Sequence, residues 1–184
     1  MSRNYKFHNP EGMYFVSFAV VEWLNVFSGD DYKNILLNSL RYCQKEKGME
    51  IFAWCIMPNH VHLIFKSMSG QRPELLLGDF KRFTSKALVK AIQENPSENR
   101  KTNFLKVFEN AGKATSNVNV YQFWQHHNHP IELWSAHVIV QKLNYIHYNP
   151  VNKGLVQTPE DYEYSSAADY SGKKGLLADI TLWR

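Results

Sequence analysis

The sequence predicts an α+β fold in which helices cover one antiparallel β-sheet. Short apolar segments rich in aromatic and β-branched residues alternate with segments of helical periodicity, and two of the apolar segments are separated only by Pro58-Asn59. Such close spacing is typical of a hairpin rather than of parallel strands. At 184 residues with 44% hydrophobic residues, the chain can bury one core. No repeat or linker interrupts it, so we expect a single domain over residues 1–184, with a core at about 13–156 and a tail at 157–184.

The first half of the chain gives three strands and one helix. Residues 13–21 (MYFVSFAVV) are predicted to form a strand, and residues 30–47 a helix with apolar residues at helical spacing. Gly48 is a typical helix stop. Residues 50–57 form the second predicted strand, and Pro58-Asn59 turns the chain into a third that begins near His60.

The second half gives two helices, a loop and a strand. Residues 75–93 are predicted to be helical, residues 94–119 to form a long polar loop, and residues 120–124 to form a fourth strand. Another helix is predicted over residues 135–148, ending at Asn149 because a residue before proline disfavours helical geometry. The core side of the first of these helices is expected to carry Leu76, Phe80, Phe83, Ala87 and Ala91.

Two histidines, His60 and His62, stand two residues apart in the third predicted strand. Residues two apart on a strand point to the same face, so both imidazoles project together. One interpretation is that they are hydrogen-bonded structural histidines at a strand start. The other is that they form half of a transition-metal site, which leaves room for further ligands.

Charge and cysteine usage limit the classes of function. The chain carries a formal net charge of +4, and the predicted helix at 75–93 presents Arg82, Lys86 and Lys90 as a basic stripe. This stripe is either a solvated helix face or a contact for a polyanion. Cys43 and Cys55 lack disulfide or metal-ligand spacing and are expected to be buried thiols. No membrane-spanning run or signal-peptide core is seen, so we expect a cytoplasmic protein.

Tyr145 and Asn149 lie one helical turn apart in the last predicted helix. If Ile139, Leu143 and Ile146 face the core, these two side chains share an adjacent face and can address one point. Tyr145 is then either an ordinary aromatic at the edge of the core or a reactive group beside Asn149.

Three segments taken together resemble one known family. The segments Met57-Pro-Asn-His-Val-His-Leu-Ile-Phe65, Tyr145-Ile-His-Tyr-Asn-Pro-Val-Asn-Lys-Gly-Leu-Val156 and Asp161-Tyr-Glu-Tyr-Ser-Ser166 occur in this order. They resemble the single-tyrosine HUH transposases of the IS200-like family, specifically the branch called REP-associated tyrosine transposases. The resemblance extends from about Tyr14 to Tyr170. It implies a ferredoxin-like or RRM-like sandwich.

The resemblance also implies a chemistry for the site. In that family the paired histidines and a polar side chain four residues after the tyrosine bind Mg²⁺ or Mn²⁺, which corresponds here to His60, His62 and Asn149. Tyr145 would attack a phosphodiester of single-stranded DNA and form a 5′-phosphotyrosine, so that the strand can be cut and rejoined. Insertion-sequence relatives carry Gln at the place of Asn149, whereas the REP-associated branch commonly has Asn.

The partners implied are single-stranded and hairpin DNA, and the protein would be nucleoid-associated when bound to it. A homodimer is possible for this family, since insertion-sequence relatives exchange the tyrosine helix between subunits, whereas the REP-associated branch can act as monomers. Basic and aromatic side chains could contact the DNA. The candidates are Arg82, Lys86, Lys90, Trp124 and His129.

Two other functions fit parts of the sequence. A domesticated, non-catalytic protein could bind DNA or RNA hairpins on the same fold, and an unrelated metal hydrolase would need a carboxylate near His60 and His62. The cluster of His126, His127 and His129 could be a second metal site, a remnant of an HNH-like nuclease pattern or a phosphate contact. Ser165 and Ser166 are expected to pin the C-terminal segment rather than to act in catalysis.

Overall fold

The computed structural model describes residues 6–68, 70–115 and 120–184, and these form an antiparallel sheet covered by helices on both faces. The strands are β1 (Tyr14–Ala19), β2 (Met49–Ile56), β3 (His60–Ser67) and β4 (Ile131–Glu132), in the spatial order β2-β3-β1-β4. The helices are α1 (Asp30–Lys47), α2 (Pro73–Glu94), α3 (Lys101–Lys113), α4 (Ala136–Asn152) and the short α5 (Ala167–Tyr170). The predicted α+β fold class is confirmed.

The central strand β3 separates two apolar layers. Val61, Leu63 and Phe65 face the layer beneath α1 and α2, whereas Ile64 faces Ile139 and the rest of α4 on the other side. All of these side chains are almost fully buried. Residues two apart on a strand share a face, so His60 and His62 lie on the same face as Ile64, toward α4.

Helix α1 has the predicted bounds, and local signals explain them. Asp30 and Asp31 occupy its first turn and Lys45 and Lys47 its last turn, so each charge complements the helix dipole. Gly48 adopts φ of 65°, and its backbone N–H bonds to the Cys43 carbonyl. A left-handed residue at this position favours glycine because it has no Cβ.

The segment predicted to be a long loop contains helix α3. Phe104, Phe108 and Gly112 recur at four-residue spacing and form its buried side, while the other positions are mostly polar. The prediction of a loop was therefore wrong over Lys101–Lys113, because a narrow apolar stripe suffices when a helix packs on one side only. Residues 116–119 of the predicted loop lie outside the described part of the chain.

The predicted strand at residues 120–124 is also wrong. Trp124 makes a single bridge to Val20, and the strand that pairs with β1 on the edge away from β3 is Ile131–Glu132. Between them the chain still follows β1, because Gln125 N–H bonds to the Ala19 carbonyl and Ser17 N–H to the Asn128 carbonyl. The edge of β1 is thus covered by a mostly irregular segment.

Helix α4 continues past its predicted end. Ser135 caps its N-terminus through a hydrogen bond to Val138 N–H, and the helix includes Pro150 before it ends at Asn152. Pro150 removes only one hydrogen bond, near the last turn, and is itself buried, so packing outweighs the local preference. Asn149 consequently lies within the helix rather than at its rim.

Helix α2 buries Leu76 and Phe80 as predicted, but the rest of its core side differs from the prediction. Phe83 is 64% exposed, whereas Leu88, Val89 and Ile92 are buried. Phe83 and Ala87 instead line a groove between α1 and α2. Cys43 and Cys55 are buried free thiols, as predicted.

The C-terminal segment covers the other edge of the sheet. The carbonyl of Tyr164 accepts a hydrogen bond from Ile56 N–H, and Ser166 N–H donates to the Trp54 carbonyl. The Ser166 hydroxyl oxygen accepts from Trp54 N–H at 3.0 Å and lies 2.9 Å from His147 Nε2 on α4. Ser166 therefore ties the tail to both the sheet and α4, consistent with its expected structural role.

We predict that Ser166→Ala lowers the free energy of unfolding by about 1–3 kcal/mol, because buried polar groups on Trp54 and His147 lose their partner. Urea denaturation followed by tryptophan fluorescence measures this change. Ser171→Ala is the matched control, since its exposed hydroxyl bonds only to the nearby Ala168 carbonyl, and it should change stability by under about 0.5 kcal/mol. Equal effects of the two substitutions would contradict the prediction.

Candidate metal and tyrosine site

Strand β3 holds His60 and His62 side by side on the α4 face. His62 pairs with Ser17 on β1 and with Cys55 on β2, and His60 pairs with Ala19. The two side chains are 8% and 1% exposed, and their Nε2 atoms lie 3.0 Å apart. The sheet therefore aims two ring nitrogens at one small volume.

Asn59 fixes the protonation pattern of His60. The Asn59 amide nitrogen donates to the Trp23 carbonyl at 3.3 Å, so its Oδ1 is the atom that faces His60 Nδ1, at 2.6 Å. Since Oδ1 can only accept, His60 carries its proton on Nδ1. His60 Nε2 is then left with a lone pair directed at His62.

Asn149 completes the cluster from α4. Its amide nitrogen lies 3.1 Å from His62 Nε2, and its Oδ1 is buried without a partner among the described residues. Because the amide nitrogen can only donate, His62 Nε2 is the acceptor of this hydrogen bond and carries a lone pair. The lone pairs of His60 Nε2 and His62 Nε2 therefore face each other at 3.0 Å. Such an arrangement is unfavourable without a cation, and rotation of the amide would turn the unpartnered Oδ1 inward. The donor set of two imidazole nitrogens and one amide oxygen thus fits a divalent ion.

The electrostatic surroundings keep both imidazoles neutral at pH 7. Burial, with a smaller effect of the Lys153 charge, lowers the pKa of His60 to about 4. Burial, followed by His60 and Lys142, lowers the pKa of His62 to about 3. Neutral imidazole is the form that ligates metals, so both rings are available as ligands at pH 7.

Tyr145 reaches this cluster from the same chain. Its ring centroid lies 5.1 Å from that of His62 and 5.8 Å from that of Phe15, and the side chain is 46% exposed. Within the described part of the chain its hydroxyl has no hydrogen-bond partner. A tyrosine that is half exposed beside two histidines is accessible to a ligand, which an ordinary core aromatic is not.

Two lysines that sequence reasoning missed lie near the site. Lys142 Nζ is 5.5 Å from the Tyr145 ring centroid and 5.0 Å from that of Phe15, and Lys153 acts on His60 as noted above. Neither lysine makes an ion pair with any residue that the structure describes. Lys142 stands three residues before Tyr145, a spacing that places both on one helix face and could have revealed it.

Among the described residues, no carboxylate lies with the two histidines. Within residues 6–68, 70–115 and 120–184 there is no group of three or more His, Cys, Asp or Glu residues that could hold a metal ion. A hydrolase of the kind that needs a carboxylate beside His60 and His62 is therefore not supported. The same finding speaks against a second metal site at His126, His127 and His129.

The basic stripe lies away from the histidines. Arg82, Lys86 and Lys90 are exposed on α2, which covers the sheet face opposite to α4. Arg82 pairs with Asp79 at 3.0 Å, and Lys90 lies 3.8 Å from Glu94. The structure thus does not bring this predicted DNA contact together with the metal and tyrosine site.

The prediction that Trp124 stacks on DNA bases is wrong. Trp124 is 5% exposed, packs edge-on against Phe18 with ring centroids 5.0 Å apart, and donates from Nε1 to Thr84 Oγ1 at 3.1 Å. Its ring is part of the core beneath α2 and is not available to a base.

His129 lies in the segment that follows the edge of β1. This segment runs beside Ser17 and Ala19, the residues that pair with His62 and His60, so its exposed histidines are at the periphery of the site. His129 has a positive φ of 42°, and the His127 and His129 rings are 6.0 Å apart. Lys81 anchors the segment, because its Nζ donates to the Gln125 carbonyl and to Asn128 Oδ1.

An antiparallel sheet that presents paired histidines beside a tyrosine from an overlying helix agrees with the transposase family that the sequence resembles. The family model for IS200-like transposases matches residues 14–121. The chain therefore belongs to the IS200-like transposase family, and the resemblance to its REP-associated branch is confirmed.

Individual relatives agree with this assignment. A Haemophilus influenzae protein provisionally named a REP-associated tyrosine transposase is 28% identical over 158 residues, which cover 84% of this chain and 79% of that one. The structure of a REP-associated tyrosine transposase bound to a REP hairpin matches with a TM-score of 0.65 and 17% identity, covering 100% of this chain and 95% of that one. At that identity the structural match establishes the fold.

None of the described helices is long and apolar enough to cross a membrane.

We predict that the anchoring Lys81 gives a pH-dependent stability. Burial lowers its pKa from 10.5 to about 8, so at pH values between these two the unfolded chain binds more protons and the stability that Lys81 confers rises with pH. In urea denaturation, wild type should gain up to about 2 kcal/mol over Lys81→Met between pH 8 and pH 10. Lys86→Met, which removes an exposed lysine of the same helix, is the matched control for the loss of a lysine side chain. A flat difference for Lys81→Met would refute this assignment.

Proposed function

We propose that this protein is a metal-dependent endonuclease and strand transferase that cuts and rejoins single-stranded DNA near hairpins. Tyr145 is the nucleophile, and His60, His62 and Asn149 hold the divalent ion. The observation that supports this most is the convergence, within one chain, of two facing Nε2 atoms, a buried unpartnered amide oxygen and an exposed tyrosine ring 5.1 Å from His62.

The proposed ion is Mg²⁺ or Mn²⁺. When bound, it supplies Lewis-acid polarisation of a phosphodiester oxygen and charge neutralisation. The three protein ligands are all uncharged, and Lys142 and Lys153 add positive charge around them. Negative charge must therefore come from the DNA phosphate, so ion and substrate are expected to bind more tightly together than alone.

Tyr145 and Lys142 are the side chains that act in the proposed transfer. The phenol oxygen of Tyr145 bonds to phosphorus while the bond from phosphorus to the 3′-oxygen breaks, and in the net reaction the phenol proton ends on that 3′-oxygen. The products are a 5′-phosphotyrosine and a free 3′-hydroxyl. Because one phosphodiester is exchanged for another, the reverse attack by a 3′-hydroxyl rejoins DNA without ATP. Lys142, which lies over the Tyr145 ring, can bind the non-bridging phosphate oxygens during both steps.

Hairpin DNA is the proposed partner, since the structural relative described above is bound to a REP hairpin. On this chain the single strand would cross the α4 face at His60 and His62, with His129 at the periphery. Arg82, Lys86 and Lys90 would contact only DNA that passes around the sheet edge. A second subunit is not needed to complete the site, because Tyr145 and His62 belong to one chain, and the reaction would take place in the cytoplasm on nucleoid DNA.

We predict that Tyr145→Phe abolishes covalent attachment to DNA, because the phenol oxygen is the atom that bonds to phosphorus. The probe is a labelled stem-loop with randomised single-stranded flanks, incubated with Mn²⁺ and resolved on a denaturing gel. Tyr148→Phe is the matched control, since Tyr148 lies on the same helix and is 50% exposed, and it should retain the adduct. An adduct that survives Tyr145→Phe but not Tyr148→Phe would reassign the nucleophile. Tight hairpin binding with no adduct in any divalent ion would favour the non-catalytic hairpin-binding protein.

We also predict that Mn²⁺ binding depends on His62 and on Asn59. His62→Ala removes a proposed ligand, and Asn59→Ala removes the acceptor that keeps the His60 proton on Nδ1. Each substitution should therefore weaken Mn²⁺ binding by roughly 10- to 100-fold. Electron paramagnetic resonance of free Mn²⁺, with Tyr145→Phe protein and the same oligonucleotide pool present, measures the affinity without cleavage. His137→Ala changes an exposed histidine of the same helix as Asn149 and should bind Mn²⁺ normally. Normal binding by His62→Ala would exclude the proposed site.

A further inference from the structure

Trp23 stands at the edge of the site and is not accounted for by the proposed chemistry. Its ring centroid lies 5.8 Å from that of His60, the His60 and His62 centroids are 4.6 Å apart, and Tyr145 follows at 5.1 Å from His62. Each ring therefore neighbours the next in the order Trp23, His60, His62, Tyr145, with the imidazoles between the two larger rings. The two outer rings, Trp23 and Tyr145, are 56% and 46% exposed.

Packing does not explain the position of Trp23. Trp54 and Trp124 are 0% and 5% exposed and contribute to the core, whereas Trp23 leaves more than half of its surface in solvent. An exposed indole forfeits most of the stabilisation that burial of so large a side chain provides. Its neighbour Val21 is buried, so the segment is anchored without Trp23.

The backbone that presents Trp23 is strained. Glu22 and Trp23 have φ of 52° and 53°, and two consecutive left-handed residues other than glycine are rare. The conformation is held by the hydrogen bond from Trp23 N–H to the Val20 carbonyl and by the Asn59 amide, which donates to the Trp23 carbonyl. The same Asn59 orients His60. Strain maintained by contacts to a functional side chain is characteristic of binding sites.

The order of the rings fixes which nucleotide could meet Trp23. In phosphoryl transfer the attacking and leaving oxygens lie roughly in line on opposite sides of phosphorus. With a phosphate at the imidazole pair and Tyr145 approaching from the His62 end, the leaving 3′-oxygen and its nucleotide lie toward the His60 end. Trp23 is an exposed aromatic at that end.

We infer that Trp23 stacks on the base of the nucleotide immediately 5′ of the cleaved phosphate, the one that carries the 3′-hydroxyl after cleavage. This inference rests on the proposed function for the location of the phosphate. Stacking there retains the cut strand beside the phosphotyrosine for rejoining. It also tolerates different bases, because every base offers an aromatic face.

An abasic scan tests this inference without chemistry at Tyr145. Tyr145→Phe protein is titrated with an oligonucleotide recovered from the stem-loop pool, into which a single abasic nucleotide is placed at each single-stranded position in turn. An abasic nucleotide at one position should weaken binding to the Tyr145→Phe protein on the order of 10-fold. The same abasic nucleotide should not weaken binding to the protein that also carries Trp23→Ala. Trp23→Phe should restore part of the dependence. Phe83→Ala, an exposed aromatic in the α1 and α2 groove, should leave the scan unchanged.

Mapping of the adduct formed by wild type then locates the sensitive position relative to the cut. Sensitivity at the nucleotide 5′ of the cut supports the inference, whereas a sensitive nucleotide on the 3′ side, or a scan identical with and without Trp23, overturns it. If wild type forms no adduct, the scan uses the sequence recovered by binding alone. A Trp23-dependent position in that case supports stacking while the proposed strand transfer fails, so the two failures are distinguishable.

Discussion

The pairing of β3 with β1 and β2 is the constraint on which the site depends. His62 lies opposite Ser17 on one side and Cys55 on the other, and both neighbouring strands are hydrogen-bonded to β3 along most of its length. A slip of one residue would carry His60 and His62 into the layer beneath α1 and α2, and Leu63 into the site. Because both faces of β3 are buried, such a slip would be costly. Core packing and placement of the histidine pair are therefore the same structural requirement.

Asn59 extends this constraint beyond the sheet. A single turn residue selects the His60 tautomer through its Oδ1 and holds the Trp23 carbonyl through its amide nitrogen. The two rings on either side of the imidazole pair are thus held in different ways. Tyr145 belongs to α4, whereas Trp23 follows β1 and is hydrogen-bonded to the turn between β2 and β3. The turn is short and lies against the segment after β1, where Phe27 N–H bonds to the Pro58 carbonyl. A polar side chain in a hairpin turn can in this way organise a site as effectively as a direct ligand.

Local sequence signals predicted the elements whose ends are set by neighbouring residues. They failed for the elements whose conformation depends on packing against distant parts of the chain. Period-two and helical patterns, together with Gly48, were sufficient for the first three strands and for α1. Helix α3 was missed because its apolar stripe is short, and the fourth strand was misplaced because irregular chain covers most of the β1 edge. The histidine pair, Tyr145 and Asn149 were found from spacing and family resemblance. The contributions of Asn59 and Trp23 depend on the approach of segments 36 residues apart, which no local pattern encodes, and the burial of Trp124 is likewise a tertiary property.

The segment that covers the edge of β2 lies late in the chain, so this edge stays open during most of translation. Residues 164–181, which bond to Trp54, Ile56 and Ile51, follow all four strands and α4 in the chain. During translation, the histidines, Tyr145 and Asn149 are therefore all available before the outer edge of β2 is closed. A chain without these residues would present unpaired backbone groups on a mostly apolar strand, the kind of edge at which chains associate with one another. The tail thus closes a strand edge that would otherwise be open to pairing with another chain.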